Sequence, residues 1–131
     1  MNVVLDTSAY SHFRNNHHDV VEMLARAEQV YVPAIVVGEL EAAFRIGRRT
    51  ADNRARLDEF LDEDFVHIVP VSREIASRYG EVFAKLRAAG TPIPINDVWI
   101  AATALHVAAR LITFDRDFER ISDFDATVMT I

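Results

Sequence analysis

Asn2-Val3-Val4-Leu5-Asp6-Thr7-Ser8 is the stretch on which the fold of this chain turns. A continuous apolar run passing directly into Asp-Thr-Ser predicts a short buried strand that stops, sets a carboxylate at its carboxyl end and opens a helix. In open α/β sheets that edge is where ligands bind. Taken alone, Asp6 is accounted for by a plain N-cap, since a carboxylate ahead of a helix accepts free backbone N–H groups. The acids that follow in the chain give it a second meaning.

Working outward, helical and extended signals alternate. A short helix runs from Thr7 to about Phe13, and a second presents Val20, Val21, Leu24 and Ala27 on one face. Val30-Tyr31-Val32 reads as a strand. Pro33 suits the first turn of a helix reaching Ile46, with Gly47 placed to cap it. Thr50 opens a helix carrying Leu57, Phe60 and Leu61 at helical spacing, and Phe65 to Val69 forms the third strand. Ser72 caps a long helix to Ala89, closed by Gly90. Asn96 reads as the cap of a helix from Asp97 to Ala109, apolar nearly all round and therefore buried. Leu111 to Thr113, a short helix from about Asp117, and a fifth strand from Thr127 to Met129 complete the pattern. Strands separated by helices predict an α/β fold with a parallel sheet, right-handed crossovers and helices on both faces.

Half of the 131 residues are hydrophobic, which predicts one domain over residues 1–131 with a substantial core. No apolar run approaches bilayer-spanning length, and the first strand begins without a basic leader or cleavage site. A soluble, cytoplasmic protein with no membrane partner is expected. The absence of cysteine excludes disulfides, a thiolate nucleophile and Cys-ligated zinc, so any metal must be held by oxygen or imidazole. The net charge of −6 speaks against holding nucleic acid by bulk electrostatics. A nucleic-acid substrate then requires a bound cation and a local arginine patch.

The acids supply that possibility. On the helix ending at Ile46 successive residues advance by about 100°, which places Glu39 within the arc of Ile35, Val36, Leu40, Ala43 and Ile46. Glu41 projects with Arg45 on the other side, as an exposed ion-paired face requires. A carboxylate turned inward must be paired or metal-bound. Asp97 stands in the first turn of the most apolar helix, where the helix dipole is the simpler explanation for it. Asp115 follows the fourth strand in Leu-Ile-Thr-Phe-Asp-Arg-Asp-Phe, again at a strand's carboxyl end, with Asp117 competing for either a capping or a ligating role. Four acids thus come from four elements toward one sheet edge. Like charges in one pocket raise each other's pKa. Oxygen-only donors point to a hard cation, Mg²⁺ or Mn²⁺, and through it to phosphoryl chemistry.

Leu5-Asp6-Thr7-Ser8, Glu39 in Val-Gly-Glu-Leu, Asp97 in Asp-Val-Trp-Ile-Ala-Ala-Thr-Ala-Leu, and Thr113-Phe114-Asp115-Arg116-Asp117-Phe118 together resemble the PIN-domain ribonucleases. The likeness is strongest to VapC-type toxins of toxin–antitoxin pairs, and the four blocks keep that family's order and approximate spacing across the chain. The resemblance implies a three-layer, Rossmann-like PIN domain with a sheet of about five strands in the order 3-2-1-4-5. It further implies a Mg²⁺ or Mn²⁺ site, hydrolysis of single-stranded or structured RNA, a homodimer, and neutralisation by a cognate antitoxin, through which alone DNA is met. Asp6, Glu39 and Asp97 match the three most regular acidic positions and Asp115 matches the fourth, with Asp117 as its rival and a further candidate ligand. Ser8 and Thr113 match hydroxyl positions that orient the acids or a metal-bound water.

Other features carry less. His12, His17, His18, His67 and His106 lack metal-ligand spacing, and the four glycines form no phosphate loop. Trp99 reads as a core residue. Arg45, Arg48, Arg49, Arg54 and Arg56 form either an RNA-phosphate contact or a solvated face balanced by Glu41, Asp52 and Asp58. Two rival classes remain: another strand-end-Asp phosphotransfer domain, and a catalytically silent binding module that keeps the acidic pocket. Against the first, no second acid stands two residues beyond Asp6, and the only lysine, Lys85, lies mid-helix.

Overall fold

β1 (Asn2–Leu5) is the middle strand of a five-stranded sheet in the computed structural model, which describes residues Met1–Ile131. The chain continues through α1 (Thr7–Arg14), α2 (His18–Arg26), β2 (Gln29–Pro33), α3 (Ala34–Ile46), α4 (Thr50–Leu61) and β3 (Val66–Val69). It then forms α5 (Arg73–Ala88), α6 (Ile95–Val107), β4 (Arg110–Thr113), a 3-10 turn (Arg116–Arg120) and β5 (Ala126–Val128). The strand order is 3-2-1-4-5 and every pairing is parallel. With six helices flanking that sheet, the architecture is the α/β one expected.

The reason lies in composition. Val3, Val4 and Leu5 are fully buried, as are Val30, Val32, Leu111 and Ile112 in the strands on either side. Strands covered on both faces read as unbroken apolar runs, and parallel pairing needs the helical crossovers that provide the cover. A second, smaller apolar cluster of Val82, Leu86, Ile93 and Val98 locks α5 against α6. That packing fixes the helix bearing Asp97. No helix is long and apolar enough to cross a membrane.

Several boundaries differ from the sequence reading, each for a local reason. Pro33 is the last residue of β2, paired with Val69, and precedes α3 in an extended conformation (ψ 143°) instead of entering its first turn. Asn96 does not cap α6. The helix begins at Ile95 behind Pro94, which offers no capping side chain, so Asn96 lies inside the first turn with its amide free for another partner. α6 ends at Val107 because Ala108 adopts the left-handed conformation (φ 54°), its N–H reaching back to Ala104 and Leu105 carbonyls. Gly47 caps α3 from an extended conformation, without left-handed geometry. Ile46, read as part of the apolar arc around Glu39, is the last residue of α3 and is 88% exposed.

The carboxyl edge follows from register. The β1–β4 ladder ends at Leu5 opposite Ile112, and the Asp6 N–H still bonds the Ile112 carbonyl at 3.3 Å. The next residues, Asp6 and Thr113, therefore emerge side by side. In this strand order the chain turns to opposite sides of the sheet from β1 and β4, and the crevice between their ends is the expected ligand site.

Candidate active site

Asp6 is only 4% exposed, yet it is well supplied with donors. Its Oδ1 accepts from the Ala9 N–H at 2.8 Å, which makes it the N-cap of α1, and from the Ser8 hydroxyl at 2.7 Å. Its Oδ2 accepts from the Thr113 hydroxyl. The capping role and the site role thus coexist. Burial pushes the Asp6 carboxyl up; the bonds from Thr113, Ala9 and Ser8 oppose this, and Asp115 adds to it.

Ser8 and Thr113 also tie the first strand end to the fourth. The Ser8 oxygen accepts from the Phe114 N–H at 3.0 Å, and the Thr113 oxygen accepts from the Asp115 N–H at 2.9 Å. Asp115 in turn caps the 3-10 turn, its Oδ1 accepting from the Asp117 N–H at 2.8 Å. Asp115 therefore caps, as its simpler reading held, and that cap is what turns Asp117 toward the same space.

Glu39 reaches the edge from α3. It is half-buried and held by polar partners from two other helices: the Thr7 hydroxyl donates to Oε1 at 2.6 Å and the Asn96 amide donates to Oε2 at 3.3 Å. Neither Thr7 nor Asn96 was read from the sequence as a support for Glu39. Their separations from it, 32 and 57 residues, lie beyond any local pattern.

Asp97, Asp115 and Asp117 form the closest group, each offering a carboxylate oxygen within 4.8 Å of the others'. Burial and then the charges of Asp115, Asp6, Glu39 and Asp117 raise the Asp97 carboxyl from 3.8 to about 7. All five acids thus act on one point, three in direct proximity and two facing them. The one ion pair these acids make is with Arg120, whose Nη1 lies 3.8 Å from Asp117 and donates to the Pro92 carbonyl at 2.9 Å, a long and exposed contact that does not neutralise the group. An uncompensated all-oxygen set with one carboxyl driven up to about 7 fits a divalent cation.

The remaining candidates lie elsewhere. Trp99 is half-buried, stacked on Tyr79 with ring centroids 4.1 Å apart. His12 and His17 pack on Phe114 at 4.0 and 5.0 Å between ring centroids. Arg45 and Arg54 are paired with Glu41, at 3.6 and 3.0 Å.

Known proteins resemble the chain in both sequence and fold. The PIN domain family matches residues 3–123. Ribonuclease VapC2 of Rickettsia felis is 30% identical over 123 residues, which cover 90% of each chain. Among solved structures, VapBC2 from Rickettsia felis bound to a DNA fragment from their promoter superposes with a TM-score of 0.84 at 28% identity, covering 98% of each chain. VapBC-5 from Mycobacterium tuberculosis, a member of the VapBC family of toxin-antitoxin systems, gives 0.73 at 27% identity over 99% of this chain and 98% of that one.

Proposed function

The chain belongs to the PIN domain family, and from that premise we propose that it is a VapC-type endoribonuclease toxin, a single PIN domain over residues 1–131 acting in the cytoplasm. The observation that carries this reading is the convergence of Asp97, Asp115 and Asp117, faced by Asp6 and Glu39, at the carboxyl edge between β1 and β4.

In this proposal Asp97, Asp115 and Asp117 hold Mg²⁺ or Mn²⁺, with Asp6 and Glu39 completing the acidic surround. Such a cation, when bound, would neutralise phosphodiester oxygens and lower the pKa of an attacking water. The protein's own part is orientation. Ser8, Ala9 and Thr113 fix Asp6, while Thr7 and Asn96 fix Glu39. Burial and its neighbours raise the Asp97 carboxyl to about 7, so a cation bound there would displace a proton. In the hydrolysis proposed, a bond forms from the water oxygen to phosphorus as the P–O bond to the leaving oxygen breaks, and the proton the water gives up is balanced by the one the leaving oxygen takes.

The antitoxin of the proposed pair packs an apolar helix on the groove between α1, α2 and α4, about 350 Å³ in volume, and a basic side chain of it enters the acidic pocket. Contact with DNA occurs through the antitoxin. Ile46, Phe83 and Ile95, exposed on α3, α5 and α6, are apolar surface available to a homodimer. The test is cleavage of RNA in Mg²⁺ or Mn²⁺ by the wild type beside Asp97→Asn, together with growth of a host expressing each alone. Loss of cleavage and of growth arrest in the variant supports the reading. Cleavage at the wild-type rate by Asp97→Asn refutes the site, and a folded wild type that neither cleaves nor arrests growth refutes the function.

A further inference from the structure

Arg120 stands between the acidic site and a cavity of about 250 Å³ that α5, α6 and the end of the 3-10 turn enclose. Val82 and Leu86 of α5, Leu105 of α6 and Ile121 form its apolar floor. Around them Arg78 pairs with Glu81 at 3.7 Å. Lys85, the only lysine of the chain, meets no carboxylate, and Arg120 meets only Asp117, at 3.8 Å. Ser122 and Asp123 add a hydroxyl and an unpaired carboxylate at the rim. The chain carries a net charge of −6, and its Arg45 and Arg54 are both held by Glu41. Lys85 and Arg120 are by contrast available, in a recess that adjoins the acids.

The ligand that complements these groups must satisfy all of them at once. Two cations call for one anionic group, and a phosphate offers an oxygen to each. Asp123 opposes a second anion and requires a donor, which a ribose hydroxyl supplies as it does to acidic residues in dinucleotide sites. The floor requires an apolar face, which an unstacked base presents. A simple anion would leave the floor uncovered, and an acyl chain with a carboxylate would bring Asp123 no donor. The volume lies below the range of about 300–1,000 Å³ that holds a whole drug-sized ligand, which limits the occupant to about one base. We infer that the cavity binds one ribonucleotide unit, its phosphate on Lys85 and Arg120, its 2′-hydroxyl on Asp123 and its base over Leu105 and Ile121. That the unit is the nucleotide beside the scissile phosphate of an RNA rests on the ribonuclease reading; the complementarity of the cavity does not.

The probes are adenosine and uridine 5′-monophosphates, each beside its nucleoside and its 2′-deoxy form, titrated into the full chain in chelator and followed by amide NMR shifts. At least one monophosphate is expected to move the Leu105, Ile121 and Ser122 amides. Its nucleoside should bind about tenfold more weakly and its 2′-deoxy form about fivefold more weakly. Lys85→Gln should weaken the monophosphate about fivefold and leave the nucleoside unchanged. Asp123→Gly should erase the preference for the ribose form. Lys85 and Asp123 are both exposed, so neither variant removes a core side chain. A mixed single-stranded RNA of about 12 nucleotides should displace the monophosphate from the cavity. A monophosphate that the RNA does not displace makes a free nucleotide the ligand and supports the cavity assignment equally. No shift at the cavity with either monophosphate, wild-type affinity in Lys85→Gln, or equal binding of the ribose and deoxyribose forms overturns the inference. Binding at the cavity by a protein that does not cleave RNA removes the ribonuclease reading and leaves the nucleotide site standing; cleavage without such binding does the reverse.

Discussion

Replacing Asp97 by Asn is expected to make the metal-free protein more stable, and only above a defined pH. The folded Asp97 carboxyl lies at about 7, against 3.8 in a solvated chain. The native state therefore binds more protons than the unfolded state between those values, so this group's contribution to stability falls as pH rises from 3.8 towards 7 and stays low above that. At about 1.4 kcal/mol per pH unit the full difference would be roughly 4 kcal/mol. Asp97 is only half-buried, and solvent screening of such a group reduces this to about 2 kcal/mol. For a chain of 131 residues, each kcal/mol moves the midpoint by about 3–4 °C. Asp97→Asn should thus melt about 7 °C above wild type at pH 8 in chelator and at the same temperature as wild type near pH 4.

The assay is a series of thermal melts of both proteins by circular dichroism from pH 4 to 8 in chelator, repeated at pH 8 with Mg²⁺ or Mn²⁺. Binding to the native state alone adds about 2.7 kcal/mol at one hundred times the dissociation constant. Metal should therefore raise the wild-type midpoint well beyond that of the variant and narrow or reverse the gap. An Asp97→Asn protein that melts with or below wild type at pH 8, or a gap independent of pH, would show that the acids do not act on Asp97 together. Equal metal shifts for the two proteins would remove Asp97 from the ligand set.

Asp115→Asn is expected to reduce RNA cleavage by at least about 100-fold and Asp117→Asn by about tenfold, since Asp115 both offers an oxygen to the cluster and turns Asp117 into place; the reverse order in a cleavage assay would make Asp117 the leading fourth acid. Thr113→Val keeps the shape of a fully buried side chain but strips a donor from Asp6 and an acceptor from the Asp115 N–H, and should cost about 2 kcal/mol at pH 8 in a denaturant titration. A smaller loss at low pH is expected, where a protonated Asp6 no longer needs that donor, and a loss independent of pH would disconnect Thr113 from the Asp6 charge. Ala108→Gly relieves a left-handed residue at the end of α6 and should raise the melting midpoint by about 3 °C; an unchanged or lower midpoint would mean that Ala108 carries no strain.

What could be read from the sequence was whatever repeats within one turn or one strand. The apolar runs at Val3–Leu5 and Leu111–Ile112, the cap at Ser72 and the buried face of α6 all follow from local periodicity, and each appears as expected. The errors sit where a residue's role depends on a distant partner or on a breaker used in an unexpected way. Asn96 was read as a cap because Asn commonly caps. Pro94 two residues earlier opens the helix in its place, and the freed amide reaches Glu39. Ile46 keeps the spacing of the buried face of α3 and is nevertheless exposed at the helix end, which no spacing reveals. Thr113 meets Asp6 across 107 residues because the β1–β4 register brings them level. The resemblance of the four acidic blocks named the acids and, in Ser8 and Thr113, two hydroxyls that orient them, but only the fold shows Thr7 and Asn96 holding Glu39.

The hydrogen bonds also divide labour among the acids. Each carboxylate oxygen can accept about two hydrogen bonds. Both places on Asp6 Oδ1 are taken by Ser8 and Ala9, and Oδ2 already accepts from Thr113. Glu39 has given one place on each oxygen to Thr7 and Asn96, and Asp115 one place on Oδ1 to the Asp117 N–H. Asp97 receives no donor from the protein at all, which is why burial and the four neighbouring charges act on it unopposed and its carboxyl alone rises to about 7. The acid with the most donors is thereby suited to fixing the shape of the site, and the acid with none to meeting whatever cation enters it. A Thr or Ser introduced within reach of Asp97 would blunt that demand by supplying internally what the cation otherwise supplies. The isolation of Asp97 from protein donors is for this reason as much a part of the site as the carboxylate itself.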